Sequence, residues 1–295
     1  MKTDSLRRFA FGALAAFMLF ISAFGCFVGT ETLCARAEES GFEYFNELMG
    51  EYSTSYASSA AARKHNVELA AAAVNGKVVE PGEEFSFNVT VGVRSAKRGY
   101  LPAPVIINGE FTTGTGGGVC QVSTTLYNAV LRAGIAVTEV SRHSLPVSYV
   151  AYSMDAMVSE ATDFRFVNDT PYPVRIEMKA DGSSLKAALY GFKVYTDGIS
   201  VKFEGRIVKK VSCDEYERRE ARNGELDSGE KERVVRAPRP GMYTEAVRSL
   251  YYRGEKVEEK VFRKDYYAPV KGLILYSTET GSGEETEPHP GQILF

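Results

Sequence analysis

The sequence predicts an α+β domain, helices packed on an antiparallel sheet, followed by a small all-β module. Three observations carry this expectation. Two stretches, Ala61–Val74 and the run after Cys120, space their apolar residues as helices do. Short alternating segments bounded by Gly, Pro, Asn and Asp recur around them. The texture then changes after about residue 198, where charged residues crowd Lys209 to Arg236. A chain of 295 residues has room for two such domains.

In order, residues 38–51 read as a polar and aromatic lead-in. Residues 52–198 form the α+β domain. Within it Tyr52–Ala60 is extended, Ala61–Val74 is a helix rich in alanine, and Asn75-Gly76 ends it as a turn. Lys77–Val79 and Phe85–Asn88 read as short strands, and Val91–Tyr100 as a loop. Pro104–Ile107, Asn108-Gly109 and Phe111 suggest a hairpin. In the second helix Val122, Leu126, Ala129 and Val130 share a buried face and Gly134 is the stop. Ile135–Val140, Pro146–Val150 and Asp163–Val167 read as strands. Pro173–Met178 and Leu185–Phe192 pair across Asp181-Gly182. Residues 199–277 form the β module, two or three hairpins with a turn at Arg253-Gly254. Residues 278–295 are a flexible acidic tail.

Apolar residues make up 44% and charged residues 25%, the proportions of an ordinary globular protein. A net charge of -3, with no basic stripe, argues against a nucleic-acid partner. Residues 1–37 are an export leader: Lys2, Arg7 and Arg8 precede an apolar run from Phe9 to Val28. Small residues at Ala35 and Ala37 suit cleavage after Ala37. The run is also long enough to stay as a single-pass anchor, so both fates stand. Either way the expected location is the cell surface or the exterior. Oligomeric state is not legible.

The glycine run 114–118 empties into Cys120 at a helix start. There the helix dipole and free N–H groups favour an anion, and the thiolate is the reactive form of cysteine. Cys120 is therefore a candidate nucleophile. Two bland readings stand beside it: a small buried residue, or half of a disulfide with Cys213. A phosphate loop is argued against because no lysine follows the glycines.

A cysteine nucleophile needs a base and a group that orients the base. His143 follows by one helix and one strand and is the preferred base; His65 remains open, and His289 lies in the tail. Asp155 and Asp163 are the candidate orienting acids. The order Cys, His, Asp on helix, strand, strand is analogous to that of transglutaminase-like thiol enzymes. Gly117, Gly118, Gln121, Arg142 and Ser144 are candidates for substrate binding or an oxyanion hole, whereas Ser123, Thr124 and Thr125 read as helix caps. No zinc spacing occurs, and neither a metal nor a cofactor is expected.

Asn75-Gly76, Pro81–Asn88, the run Gly116–Ala129, His143-Ser144, Pro146–Val150 and Asp155-Ala156 together resemble the VanW domain family over roughly Tyr52 to Phe192. Two positions depart from the pattern. Ser153-Met154 stand where the family tends to have glycine before the acid, and Met157 replaces a usual threonine. The resemblance implies a bacterial surface protein that acts on peptidoglycan. It implies an L,D-transpeptidase in which Cys120 is the nucleophile and His143 its base. Val234–Tyr276 is similar to the small surface β module named for its five glycines, which implies a wall- or glycan-binding accessory. Two alternatives remain: a non-catalytic wall-binding protein, and a thiol peptidase or amidase on the same substrate.

Overall fold

Fifteen strands in five small sheets make most of the structure, with three α-helices among the described residues. The structure is a computed structural model and describes residues 45, 47–107 and 109–278. The leader and the tail from 279 onward lie outside them.

Strand β1 (Glu47–Ser55) opens the described chain and α1 (Ala61–Val74) follows it. The strand begins inside the stretch read as a lead-in, because its partner is far away in sequence. Then come β2 (Val78–Val79), β3 (Glu84–Ser86) and the short α2 (Phe87–Val91), where a strand was expected to continue. The Ser86 hydroxyl caps α2 by accepting from Val89 N–H, which explains the break. Strands β4 (Pro102–Ile107) and β5 (Glu110–Thr115) form the expected hairpin.

Helix α3 (Val119–Ala133) starts one residue before Cys120 and stops at Gly134, which takes φ 79°. Val122, Leu126, Ala129 and Val130 are all fully buried, as the apolar spacing requires. Complete burial of each larger aliphatic side chain is worth roughly 1.5–3 kcal/mol. The polar face of α3 is buried too, including Ser123, Thr124, Thr125 and Asn128. A helix enclosed on both faces is the axis of the domain, and its buried polar groups must find partners.

Strand β6 (Ala136–Glu139) precedes a long loop, residues 140–164, and β7 (Arg165–Val167). The loop contains no strand, so the expectation of one at Pro146–Val150 is overturned. Strands β8 (Val174–Ala180) and β9 (Ser184–Gly191) then form the hairpin across Asp181-Gly182.

The first sheet has the order β1-β9-β8-β2 and is antiparallel throughout. Helix α3 lies against β1 and β9, and α1 against β8. The crossing of α3 over β1 is close: a Cβ at Gly50 would come within 2.3 Å of Ala133 N. A second sheet, β3-β7-β6, joins this core through aromatic rings. Phe85 stacks on Phe166 at 4.9 Å, and Phe164 meets Tyr127 of α3 edge-on at 5.6 Å.

The later residues are all β. Strands β10 (Ile199–Val211), β13 (Gly241–Tyr252) and β14 (Glu255–Tyr267) make one antiparallel sheet, with the turn at Arg253-Gly254 as expected. Strands β11 (Tyr216–Glu220), β15 (Gly272–Tyr276) and β12 (Glu232–Arg236) make the other, in which β11 and β15 run parallel. The described residues belong to one compact unit, so these sheets and the α3 domain share contacts. At Gly205 of β10 the approach to the 140–164 loop is so close that a Cβ would meet Tyr152 O at 1.9 Å.

Candidate active site

The glycine run brings backbone and side chains together at the start of α3. Gly116 and Gly118 take φ 84° and φ 110°, open to glycine and strained for other residues. A Cβ at Gly117 would strike Pro104 O at 2.6 Å, so β4 can close on the loop only because that position is glycine. Gly118 is the N-cap and offers no side chain. The amides of Val119 and Gln121 are bonded to the carbonyls of Gly116 and Gly118. Cys120 N–H has no protein acceptor among the described residues.

His143 is 6% exposed and sits on the 140–164 loop. Its Nδ1 is 2.7 Å from Asp155 Oδ2, and its own backbone N–H donates to the same oxygen at 2.7 Å. With Nδ1–H held by the carboxylate, Nε2 is the nitrogen left to serve the Cys120 sulfur, whose electrostatics and those of the imidazole act on each other. The three residues therefore come together as the sequence ordered them. Their elements differ from expectation, since His143 and Asp155 stand on one loop and not on two strands.

Burial pushes the Cys120 thiol up, but the hydrogen bond and charge of His143 outweigh it, and the net shift is downward. Burial pulls His143 down, while Asp155 and Cys120 hold its proton and carry it to about 9. Burial also raises Asp155, yet the His143 hydrogen bond and the Arg263 charge bring it below its ordinary value. The two shifts, thiol down and imidazole up, run in the direction of a thiolate–imidazolium pair backed by a carboxylate. The thiol form has its own acceptor, the Val158 carbonyl at 3.3 Å.

The polar face of α3 fixes the acid. Ser123 Oγ donates to Ala156 O at 2.6 Å, and Ala156 N donates to Thr124 Oγ1 at 3.0 Å. Asn128 Nδ2 donates to Met154 O at 2.8 Å. The residues on both sides of Asp155 are thus tied to the helix that carries Cys120. Ser123 and Thr124 are loop anchors, not the caps that the sequence suggested. Ser153 takes φ 59° and bonds Thr244 of β13 through its hydroxyl at 2.7 Å. That strained position falls in the pair of residues standing where the family tends to have glycine. Arg263 of β14 donates to Asp155 O at 2.6 Å.

A cleft of about 730 Å³ opens onto the sulfur, lined among others by Gly117, Gly118, Gln121, His143, Arg63 and Arg94. Gln121 cannot serve an oxyanion hole with its side chain. Its Nε2 is bonded to Thr54 and Ser55, and its Oε1 accepts from Arg63. Arg142 and Ser144 do not line the cleft. Arg142 donates to His143 O and lies over the Tyr267 ring, while Ser144 accepts from Gly109 N–H. His65 bonds the Gly99 carbonyl. Asp163 caps α2 through Ser86 and Asn88 N–H. Neither completes the triad. Cys120 and Cys213 are both free thiols, which overturns the disulfide reading.

Sequence reasoning missed Arg63, Arg94, Asn128 and Arg263. Tyr149 was missed as well: it lines the cleft, and burial and the nearby Cys120 charge keep its phenol protonated. Lone arginines and a tyrosine in a loop carry no local signal. No group of His, Cys, Asp and Glu among the described residues could hold a metal ion.

Fold and site together define a domain built on one enclosed helix, with an N-terminal cysteine facing a histidine held by aspartate. Residues 62–190 match the family model described as VanW like protein. The chain is 41% identical over 172 residues to the uncharacterized protein YoaR of Bacillus subtilis (strain 168), covering 57% of each chain. It is 31% identical over 134 residues to the vancomycin B-type resistance protein VanW of Enterococcus faecalis (strain ATCC 700802 / V583), covering 43% of this chain and 49% of that one. The chain thus spans about half the length of these relatives. Two solved structures align with 27% of it. They are the G5 domain of IgA1 protease (21% identity, 92% of that chain, TM-score 0.18) and HP0197-G5 (9% identity, 97%, TM-score 0.16).

Proposed function

We propose that this protein is an exported cysteine acyl transferase acting on peptidoglycan stem peptides, in the manner of an L,D-transpeptidase. One observation carries the chemistry: Cys120 faces His143, whose Nδ1 is held by Asp155 at 2.7 Å. The family supports the setting, since a relative bears the name of a vancomycin-resistance protein. The export leader read at residues 1–37, with its apolar run at 9–28, supports a site of action at the cell surface, cleaved or anchored. Among the described residues no helix is long and apolar enough to cross a membrane. The β-rich residues 199–277 are read as a wall- or glycan-binding module attached to the VanW-like domain at 52–198.

The Cys120 thiolate attacks the carbonyl carbon of the stem's third residue. The developing oxyanion is met by the uncommitted N–H of Cys120 at the helix start, with the dipole of α3 behind it. The C–N bond breaks, and imidazolium His143 gives its proton to the leaving amine. The thioester is then opened by the amine of a second stem: a new amide forms, the C–S bond breaks, and His143 takes the proton. Asp155 holds the imidazole orientation and stabilises its charge in both halves.

The test is intact-mass spectrometry of the protein mixed with a synthetic stem tetrapeptide, with and without an acceptor amine. The reading predicts a thioester adduct on Cys120, a cross-linked product with acceptor, and neither in Cys120→Ser. Product peptide with water as the only acceptor would make it a hydrolase. Absence of any adduct would overturn the enzyme reading in favour of a wall-binding protein.

A further inference from the structure

Two guanidiniums line the cleft, and the glycine run is shaped to admit them. A Cβ at Gly116 would come within 2.9 Å of Arg94 Cβ, and one at Gly118 within 3.0 Å of Arg63 Cγ. The missing side chains are the space in which the two arginine stems lie. Arg63 enters from α1, donating to Ser59 Oγ and Gln121 Oε1, both at 2.8 Å. Arg94 enters from the loop after α2, donating to Asn88 Oδ1 at 2.8 Å. Among the described residues neither guanidinium is paired with a carboxylate. The one acid lining the cleft is the exposed Glu160.

Both arginines feel the reacting sulfur, since Cys120 charge acts on Arg63 and Arg94 charge acts on Cys120. Burial disfavours the Arg63 charge, so an anion beside it would be welcome. Among the side chains lining the cleft, with His143 as imidazolium, three cations stand against the Cys120 thiolate and the exposed Glu160. That balance suits a ligand that brings a carboxylate close to the scissile bond.

We propose that Arg63 and Arg94 form a carboxylate clamp, and that the site acts only on the last peptide bond of a stem ending in a free α-carboxylate. The proposal rests on the acyl-transfer reading and adds the chemistry of the leaving residue. The α-carboxylate carbon of a terminal residue is three bonds from the carbonyl carbon under attack, roughly 3–4 Å away. Bound between the guanidiniums, it sets the scissile carbonyl over Cys120. The Sγ–C bond forms and the C–N bond breaks. The leaving amine takes the His143 proton, and the free amino acid departs with its carboxylate. On the far wall Ile107 and Phe111 of the β4–β5 hairpin are exposed apolar surface for the rest of the donor chain.

Two measurements test it. The first compares Cys120 alkylation by iodoacetate and iodoacetamide, whose rate ratio cancels any change in thiolate population. The ratio should exceed that of a cysteine peptide by about tenfold, and Arg94→Gln should lower it about fivefold, as a local positive potential requires. Arg63→Lys, which keeps the charge beside Ser59 and Gln121, should lower it less than Arg94→Gln. An equal ratio in wild type and Arg94→Gln would overturn the clamp.

The second compares acylation by a stem tetrapeptide with a free C-terminus and by its carboxamide. The acid should acylate about tenfold faster. Equal rates would overturn the clamp while leaving the thiol chemistry standing. Acylation by neither would remove the acyl-transfer reading, and the clamp would then be judged on the haloacetate ratio alone.

Discussion

Arg263, on β14, donates through Nη1 to the backbone carbonyl of Asp155 at 2.6 Å and holds Nη2 3.5 Å from its Oδ1. A residue of the C-terminal sheet therefore secures the acid that orients His143. Arg263→Gln removes that charge and raises Asp155 toward the ordinary carboxylate range. The imidazolium weakens, the Cys120 thiol rises toward its ordinary value, and iodoacetamide labelling at pH 6 drops several-fold. Arg263→Lys keeps the charge but cannot fork between carbonyl and carboxylate, so it should recover only part of the loss. Labelling rates against pH check both.

Ser153 holds φ 59° and exchanges a hydrogen bond with Thr244 at 2.7 Å. Ser153→Ala loses the bond and keeps the backbone strain. Ser153→Gly loses the bond and relieves the strain, which is worth about 1 kcal/mol. Urea denaturation should show the alanine variant less stable than the glycine variant by about that amount.

Asn128 and Ser123 tie the Asp155 loop to α3. Asn128→Ala leaves the buried Met154 carbonyl without its partner and should destabilise the fold by about 1–3 kcal/mol. Labelling of Cys120 should slow as well, because Asp155 loosens with its neighbours.

Stability should depend on pH through the same pair. His143 has a folded value of about 9 against an unfolded 6.5, so its contribution is full below 6.5 and is lost as pH rises through 9. Cys120 is shifted down, so its contribution is full above its unfolded value of about 8.5 and is lost as pH falls through its folded value. Between about 6.5 and 8.5 the two trends oppose each other, and they cancel where the pH is also above the folded thiol value. The wild-type unfolding free energy should be flattest in that window and fall on its alkaline side, whereas Cys120→Ser, which keeps the His143–Asp155 pair without the thiolate, should already fall within the window. Melting temperatures across buffers measure it.

The sequence showed α1 and α3 plainly because each has a helical period and a turn at its end. Cys120 was legible because the glycines announce a close approach. The strands around His143 and Asp155 were misread for a physical reason. Pro146–Val150 was expected as a strand, whereas the structure places it in the 140–164 loop, whose backbone at Met154 and Ala156 is bonded by Ser123, Thr124 and Asn128 of a helix. Gln121 looked free to bind substrate and is captured by Arg63 and β1. Arg263 lies 108 residues from Asp155, so no local pattern could bring the two together.

The most direct measurement is the rate of Cys120 alkylation by iodoacetamide from pH 5 to 10, in wild type and His143→Gln. With the ion pair in place, the wild-type rate stays high well below the ordinary thiol value of about 8.5. His143→Gln removes the two largest effects that oppose burial, so its rate should climb about tenfold per pH unit through neutrality. Superimposable profiles in the two proteins, or a wild-type profile that titrates as an ordinary thiol, would contradict the account.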